Sequence, residues 1–280
     1  MNIEFLRRPT RRAVTLAGVT AGVAAVALLA TTAGAAIGQR PPGRKPTVVL
    51  VHGAFADSSS WNGVVKRLKR DGYPVVAVAN PLRGLHSDAG YLRSVLDSID
   101  GAIVLAGHSY GGSVMGEAAD GHPDVRALVY IASFSLDKGE STAELAARFP
   151  GGQLGPALNP VPFPLPGGDT GTDLYIKQDE FRRVFAADVP RDVAELMAAT
   201  QRPIAATALE DQATRAAWRS IPSWTMVTKQ DLAIPADSMR FMAKRAGSYT
   251  VEIDASHAVT VAEPGAVADL IGRAGRTVTQ

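Results

Sequence analysis

The chain has 280 residues, 29 Lys and Arg against 27 Asp and Glu, with 46% hydrophobic and 20% charged residues. That balance is globular and excludes a disordered, collagen-like or polytopic membrane chain. The absence of cysteine also excludes disulfides, thiolate nucleophiles and sulfur-ligated metal sites.

The charge is unevenly spread. Residues 1–45 hold seven basic residues against one acid, Glu4, which leaves 22 basic and 26 acidic residues beyond them. A mildly acidic body has no electrostatic reason to hold nucleic acid. Within the leading segment, Arg7-Arg8 and Arg11-Arg12 precede 25 uncharged residues, 13–37, which end near the small-residue exit Ala33-Gly34-Ala35. A basic start, an apolar run and such an exit are the parts of a secretory signal. Residues 1–35 are therefore expected to direct export, with cleavage near Ala35. Thr10-Arg11-Arg12 resembles a twin-arginine start, although Val14 and Thr15 depart from the usual pattern. A retained anchor is the rival, and membrane association is expected only through this segment if it is not cleaved. Only eight of the 25 residues are Leu, Val or Ile while ten are Ala, which makes a weak span. Residues 36–45, with Pro41-Pro42, read as an exposed linker.

From Pro46 onward the pattern alternates. Thr47–Val51 is a β-branched run of the kind buried on both faces of a parallel sheet. Trp61–Arg70 has helical spacing, Pro74–Val78 reads as a strand, and Tyr91–Ile99 as a helix. Ala102–Ala106 follows as a strand, Ser113–Ala119 as a helix and Ala127–Ala132 as a strand. The rhythm resumes with strand Trp224–Thr228, helix Ala236–Arg245, strand Tyr249–Ile253 and helix Pro264–Ile271. Alternation of this kind predicts an α/β fold with a mostly parallel central sheet and helices on both faces, built from 46–136 and 221–280. The intervening 137–220 reads as an inserted, largely helical cap. Within it, Pro150–Gly171 holds six prolines and six glycines and is expected to form no regular element. Phe163, Leu165, Phe181, Phe185 and Met197 are expected to line a pocket for the substrate.

Gly107-His108-Ser109-Tyr110-Gly111 is a G-x-S-x-G pattern, weak by itself. Its setting between a predicted strand and a predicted helix puts Ser109 on a sharp turn, with its oxygen presented above the sheet. A serine hydroxyl needs a base beside it. Of the five histidines, His257 follows the last predicted strand at the carboxyl edge, where Ser109 also sits. His108, adjacent in sequence, should point away from Ser109 or into the sheet, while His52 and His86 lie in loops and His122 at the opposite edge. An acid must orient the imidazole. Asp231 follows strand Trp224–Thr228 at the same edge and gives the chain order Ser, Asp, His. Asp254, three residues from His257, and Asp137 compete for that role. An oxyanion needs two donors: the amide of Tyr110, and one from His52-Gly53-Ala54-Phe55, with Ala54 preferred and Phe55 as the alternative.

Taken in order, VHGAFADSSSW, VLAGHSYGG, QRPIAA, PSW, KQDLAIP and DASHAV resemble the α/β-hydrolase family over about residues 46–272. Among its branches the chain is most similar to small esterases such as plant methyl-ester esterases and hydroxynitrile lyases. The resemblance implies Ser109 as nucleophile, Asp231 as acid, His257 as base, and the amides of Ala54 and Tyr110 as oxyanion hole. It also implies no cofactor and no metal. In the lyases a lysine follows the catalytic histidine; here Ala258 stands there, which argues against lyase activity. The resulting expectation is an exported serine esterase acting on a small to medium carboxylic ester. Two rivals share the same residues: a triad-retaining ligand-binding protein with very slow turnover, and a cofactor-free haloperoxidase or lactonase. Fold and triad do not choose among substrates.

Export predicts a mature secreted chain beginning near Ala36, checked by intact mass of the secreted protein. Recovery of Met1 on membrane-bound material would instead identify a retained anchor.

Overall fold

A computed structural model describes residues 44–278; the expected signal segment 1–35 and most of the expected linker lie outside them. Along the chain, β1 (Thr47–Val51), α1 (Asn62–Arg70), β2 (Val75–Val78), α2 (Leu85–Asp97), β3 (Ile103–Ser109), α3 (Tyr110–Ala119) and β4 (Val125–Ser133) alternate. Next come α4 (Thr142–Ala147), α5 (Leu154–Ala157), β5 (Leu158–Pro164), β6 (Thr170–Ile176), α6 (Gln178–Phe185), α7 (Arg191–Thr200), β7 (Ile204–Ala205) and α8 (Ala206–Glu210). The alternation resumes with β8 (Ser223–Thr228), α9 (Ala236–Arg245), β9 (Tyr249–Ile253), α10 (Val259–Ala262) and α11 (Pro264–Val278).

Six strands form one sheet in the order β2-β1-β3-β4-β8-β9, and every pairing in it is parallel. The α/β architecture expected from the alternation is therefore present. All residues of β1 and β3 are buried, as required of strands covered on both faces. The strand order reverses between β1 and β3. At such a switch the loops leaving the two strands diverge and open a crevice at the carboxyl edge. Ser109 ends β3 at that crevice, and His52 to Phe55 leave β1 beside it.

Several boundaries differ from the sequence reading: β3 runs on to Ser109, and α11 to Val278. α2 begins at Leu85 rather than Tyr91, because the carboxylate of Asp88 accepts the Arg83 amide at 3.1 Å and so anchors the chain entering the helix. α3 begins at Tyr110, directly after Ser109, rather than at Ser113.

The segment 137–220 holds the expected helical pieces and, in addition, a three-stranded antiparallel sheet, β5-β6-β7. The expectation that Pro150–Gly171 forms no regular element is corrected here: α5, β5 and the start of β6 lie within it. β5 is an edge strand of that sheet. Its prolines, 160, 162 and 164, recur every second residue, so their missing N–H groups all fall on the free edge. Asn159, Val161 and Phe163 keep donors on the side of β6. The same spacing protects the edge against pairing with another chain. Gly167 and Gly168, both at φ +97°, turn the hairpin, and the Leu165 amide closes it on the Asp169 carbonyl at 2.8 Å.

Two glycines have opposite requirements. A Cβ on Gly107 would lie 2.7 Å from the carbonyl of Gly111 and 2.8 Å from the Gly112 nitrogen. Both are backbone atoms that cannot swing aside, so β3 and α3 meet only through bare glycine. A Cβ on Gly90, within α2, would meet nothing within 4 Å. Gly107→Ala is thus expected to destabilise by about 1–3 kcal/mol or more through overpacking. Gly90→Ala is expected to stabilise by about 0.5–1 kcal/mol through helix propensity. Urea denaturation of the two variants checks both signs.

Candidate active site

β3 delivers Ser109 with φ 53° and ψ −128°, a conformation that costs a non-glycine residue about 1–3 kcal/mol. Neighbours hold it there. The Ser133 hydroxyl donates to the Ser109 carbonyl at 2.6 Å. Gly53 lies so close that a Cβ on it would sit 2.6 Å from the Ser109 Cβ. The turn projects the serine side chain out of the sheet, as a strand-to-helix elbow requires.

Asp231 and His257 arrive on the loops after β8 and β9. His257 Nδ1 lies 2.7 Å from Asp231 Oδ2, and both side chains are out of solvent. The remaining lone pairs of the carboxylate are occupied. Oδ1 accepts the amides of Ala233 and Ile234, each at 2.8 Å, and Oδ2 also accepts the Thr228 hydroxyl at 2.9 Å. A buried carboxylate is tolerated when its oxygens are satisfied in this way. The competing acids are engaged elsewhere. Asp254 is 68% exposed and pairs with Lys229 at 3.0 Å; Asp137 is paired with Arg219.

Ser109 and His257 line a common cavity of about 60 Å³. Ala54, Phe55 and Tyr110 line it from the core. From 137–220 the lining residues are Thr142, Ala143, Ala146, Leu154 and Leu209. The pocket-lining expectation is corrected accordingly. Phe181 belongs to the core and Leu165 is exposed, while Phe163 packs on Gly171 and lies beneath Arg83. Phe185 sits edge-on against the His257 ring, 4.8 Å between centroids. Met197 lines a second, open cavity of about 190 Å³ that shares Phe55 with the first.

The two oxyanion candidates separate by their partners. The Phe55 amide donates to the Arg202 carbonyl at 3.0 Å. Among the described residues no acceptor takes the Ala54 amide. Tyr110 is the first residue of α3, and amides in a helix's first turn have no partner within it. Its hydroxyl is used separately, donating to Asp88 at 2.9 Å.

Three histidines have other partners. His86 lies 3.4 Å from Glu117, and His122 lies 3.3 Å from Asp97 at the far edge of the sheet. His52 is buried, with Nδ1–H donating to the Gly53 carbonyl at 2.9 Å and Nε2 accepting the Asn80 amide at 3.0 Å. Burial pushes its pKa down to about 4, so the ring is neutral and fixes the Gly53–Ala54 peptide. Sequence reasoning left this clamp out, because nothing near Asn80 marks it as a partner of His52.

His108 lies beside His257: its ring centroid is 4.7 Å from that of His257. Its Nε2 lies 2.9 Å from the His257 carbonyl. Burial, with His257 nearby, pushes its pKa down to about 3. The neutral ring donates through Nε2–H to that carbonyl.

A family model described as the alpha/beta hydrolase family matches residues 48–270. The chain belongs to the alpha/beta hydrolase family. Alpha/beta hydrolase nvfD of Aspergillus novofumigatus (strain IBT 16806) is 28% identical over 252 residues, which is 82% of this chain and 96% of that protein. Methylesterase 2 of Arabidopsis thaliana is 25% identical over 224 residues, 71% of this chain and 83% of its own. The crystal structure of polyneuridine aldehyde esterase matches with a TM-score of 0.71 at 20% identity, covering 82% of this chain and 98% of that one. That structural likeness establishes a common fold. The likeness to the methylesterase agrees with the small-esterase branch read from the sequence.

For this alpha/beta hydrolase the buried neutral histidines set an acid limit. Above pH 6.5, His52 and His108 are neutral in both folded and unfolded chains. Below it the unfolded chain takes up protons that the folded one refuses until pH nears the lowered values of about 4 and about 3. Stability is thus lost as pH falls, by about 2 kcal/mol for each histidine between pH 6.5 and 5. Urea denaturation at about pH 7.5 and pH 5 checks this, with a smaller loss expected for His52→Gln than for the wild type. An equal loss in the two proteins would contradict the assignment.

Proposed function

We propose that this alpha/beta hydrolase is an exported serine carboxylesterase that cleaves a small to medium carboxylic ester through an acyl-enzyme. The observation that carries the reading is the buried 2.7 Å contact of His257 with Asp231, at a cavity that Ser109 also lines. Asp231 holds the Nδ1–H tautomer, which leaves Nε2 of His257 as the base. Ser109 Oγ attacks the acyl carbon as His257 takes its proton. The amides of Ala54 and Tyr110 donate to the oxyanion, with the N-terminus of α3 adding favourable field. His257 then protonates the leaving alcohol, and water hydrolyses the acyl-enzyme by the same steps in reverse order.

The cavity favours an uncharged, apolar substrate group. Its lining is mostly Ala, Leu, Ile and Phe, and burial there gains about 0.8 kcal/mol for each CH₂. The segment 137–220 serves as the cap over it. The relatives support ester chemistry through the methylesterase. Export rests on the sequence of residues 1–35.

Ser109→Ala is expected to keep the fold and lower kcat by roughly 10³-fold or more on a chromogenic short-chain ester. Asp231→Asn should impair turnover far more than Asp254→Asn, because only Asp231 touches the imidazole. Ser109→Ala activity near that of wild type would overturn the nucleophile, and the reverse ranking of the aspartates would overturn the acid. A burst of one equivalent followed by negligible turnover would favour the ligand-binding reading.

A further inference from the structure

The segment that roofs the cavity also grips the loop that carries His257. Ser256, His257 and Ala258 follow β9, and the peptides flanking the histidine are bound to the end of α6 and the turn after it. The Ser256 amide donates to Asp188 Oδ2 at 2.8 Å, and the Ser256 hydroxyl donates to Asp188 Oδ1. The Ala258 amide donates to the Phe185 carbonyl at 2.8 Å. Behind the loop, His108 binds the carbonyl of His257 itself. Ser256 and Ala258 are buried although Asp188 itself is exposed, so loss of the carboxylate frees the Ser256 peptide from the cap turn and lets the loop shift.

We propose that Asp188 is a positioning residue for His257: its carboxylate, reaching from the cap turn to Ser256, sets the height at which the imidazole meets Asp231 and Ser109. The inference rests on the reading of His257 as base. It makes the cap part of the catalytic alignment as well as the wall of the pocket. Phe185, three residues earlier, supplies both the acceptor for Ala258 and the ring packed on His257, so α6 holds the base loop at two points.

A staple that only fastened the cap would lower thermal stability and leave each folded molecule fully active. A positioning group acts on kcat, because a displacement near 1 Å can cost about 10²-fold in rate. The test compares wild type, Asp188→Ala, Asp188→Asn and Ser256→Ala. Competent sites are counted with a p-nitrophenyl alkylphosphonate and the adduct is mapped by mass spectrometry. Steady-state kcat and KM are then measured on a short p-nitrophenyl ester.

Asp188→Ala is expected to lose about 10- to 100-fold in kcat per titrated site, with KM unchanged. Asp188→Asn is expected to stay close to wild type, since its amide oxygen still accepts the Ser256 amide. Ser256→Ala keeps the amide bond to Asp188 and removes the hydroxyl's contacts with Asp188, the Phe185 carbonyl and the Ala258 amide, and should fall between them. It decides the matter if Asp188→Ala does not fold. A wild-type kcat per titrated site in Asp188→Ala or in Ser256→Ala, whatever the loss in Tm, would overturn the proposal. So would an Asp188→Asn as poor as Asp188→Ala. Failure of the phosphonate to label Ser109 in the wild type would strike the esterase reading instead.

Discussion

The buried hydrogen bond between Asp231 and His257 is the constraint around which the carboxyl edge of the sheet is organised. Removing a carboxylate from water costs several kcal/mol unless its oxygens are well satisfied. Here two amides and a hydroxyl meet that demand beside the imidazole. Those donors come from the end of β8 and the loop that follows it, so β8 and its loop hold a fixed shape. β9 runs parallel beside β8 and brings His257 to the same height. Pairing of these two strands carries the loops that hold the acid and the imidazole to the same edge of the sheet.

Ser109 lines the same cavity as His257, held there through close approaches that leave no room for side chains. β3 turns into α3 on Gly107 and Gly111, and the loop after β1 lies against Ser109 through Gly53. Neutral, buried histidines hold the surrounding backbone. His52 fixes the Gly53–Ala54 peptide and His108 the carbonyl of His257. Each would be destabilising if charged in that setting, and burial keeps both uncharged near neutral pH. The strain at Ser109 persists because its neighbours over-determine it.

The sequence showed most plainly what depends on local pattern. β-branched runs such as Thr47–Val51 have to be buried on both faces, and Tyr249–Ile253 was placed to the residue. That Ser109, Asp231 and His257 share one edge of the sheet was legible because the ends of parallel strands gather there whatever the intervening chain does. The β5-β6 hairpin was not legible, since proline counts against a strand unless its period of two and its edge position are both known. The lining of the cavity was equally hidden. Small residues such as Ala143 and Ala146 shape it, and alanine carries no sequence signal for a pocket. The bond from His108 to the backbone of His257 spans 149 positions, and no local pattern reports it.

The central claim is covalent: an acyl group resides on Ser109 between two chemical steps. Its most direct measurement is acid quenching of the purified enzyme within the burst phase on p-nitrophenyl acetate, followed by peptide mapping. A single acetyl group on the Ser109 hydroxyl, lost with time after the ester is exhausted, is the predicted result. Continuing hydrolysis with no acetylated peptide, or with the acetyl group on another residue, would contradict it.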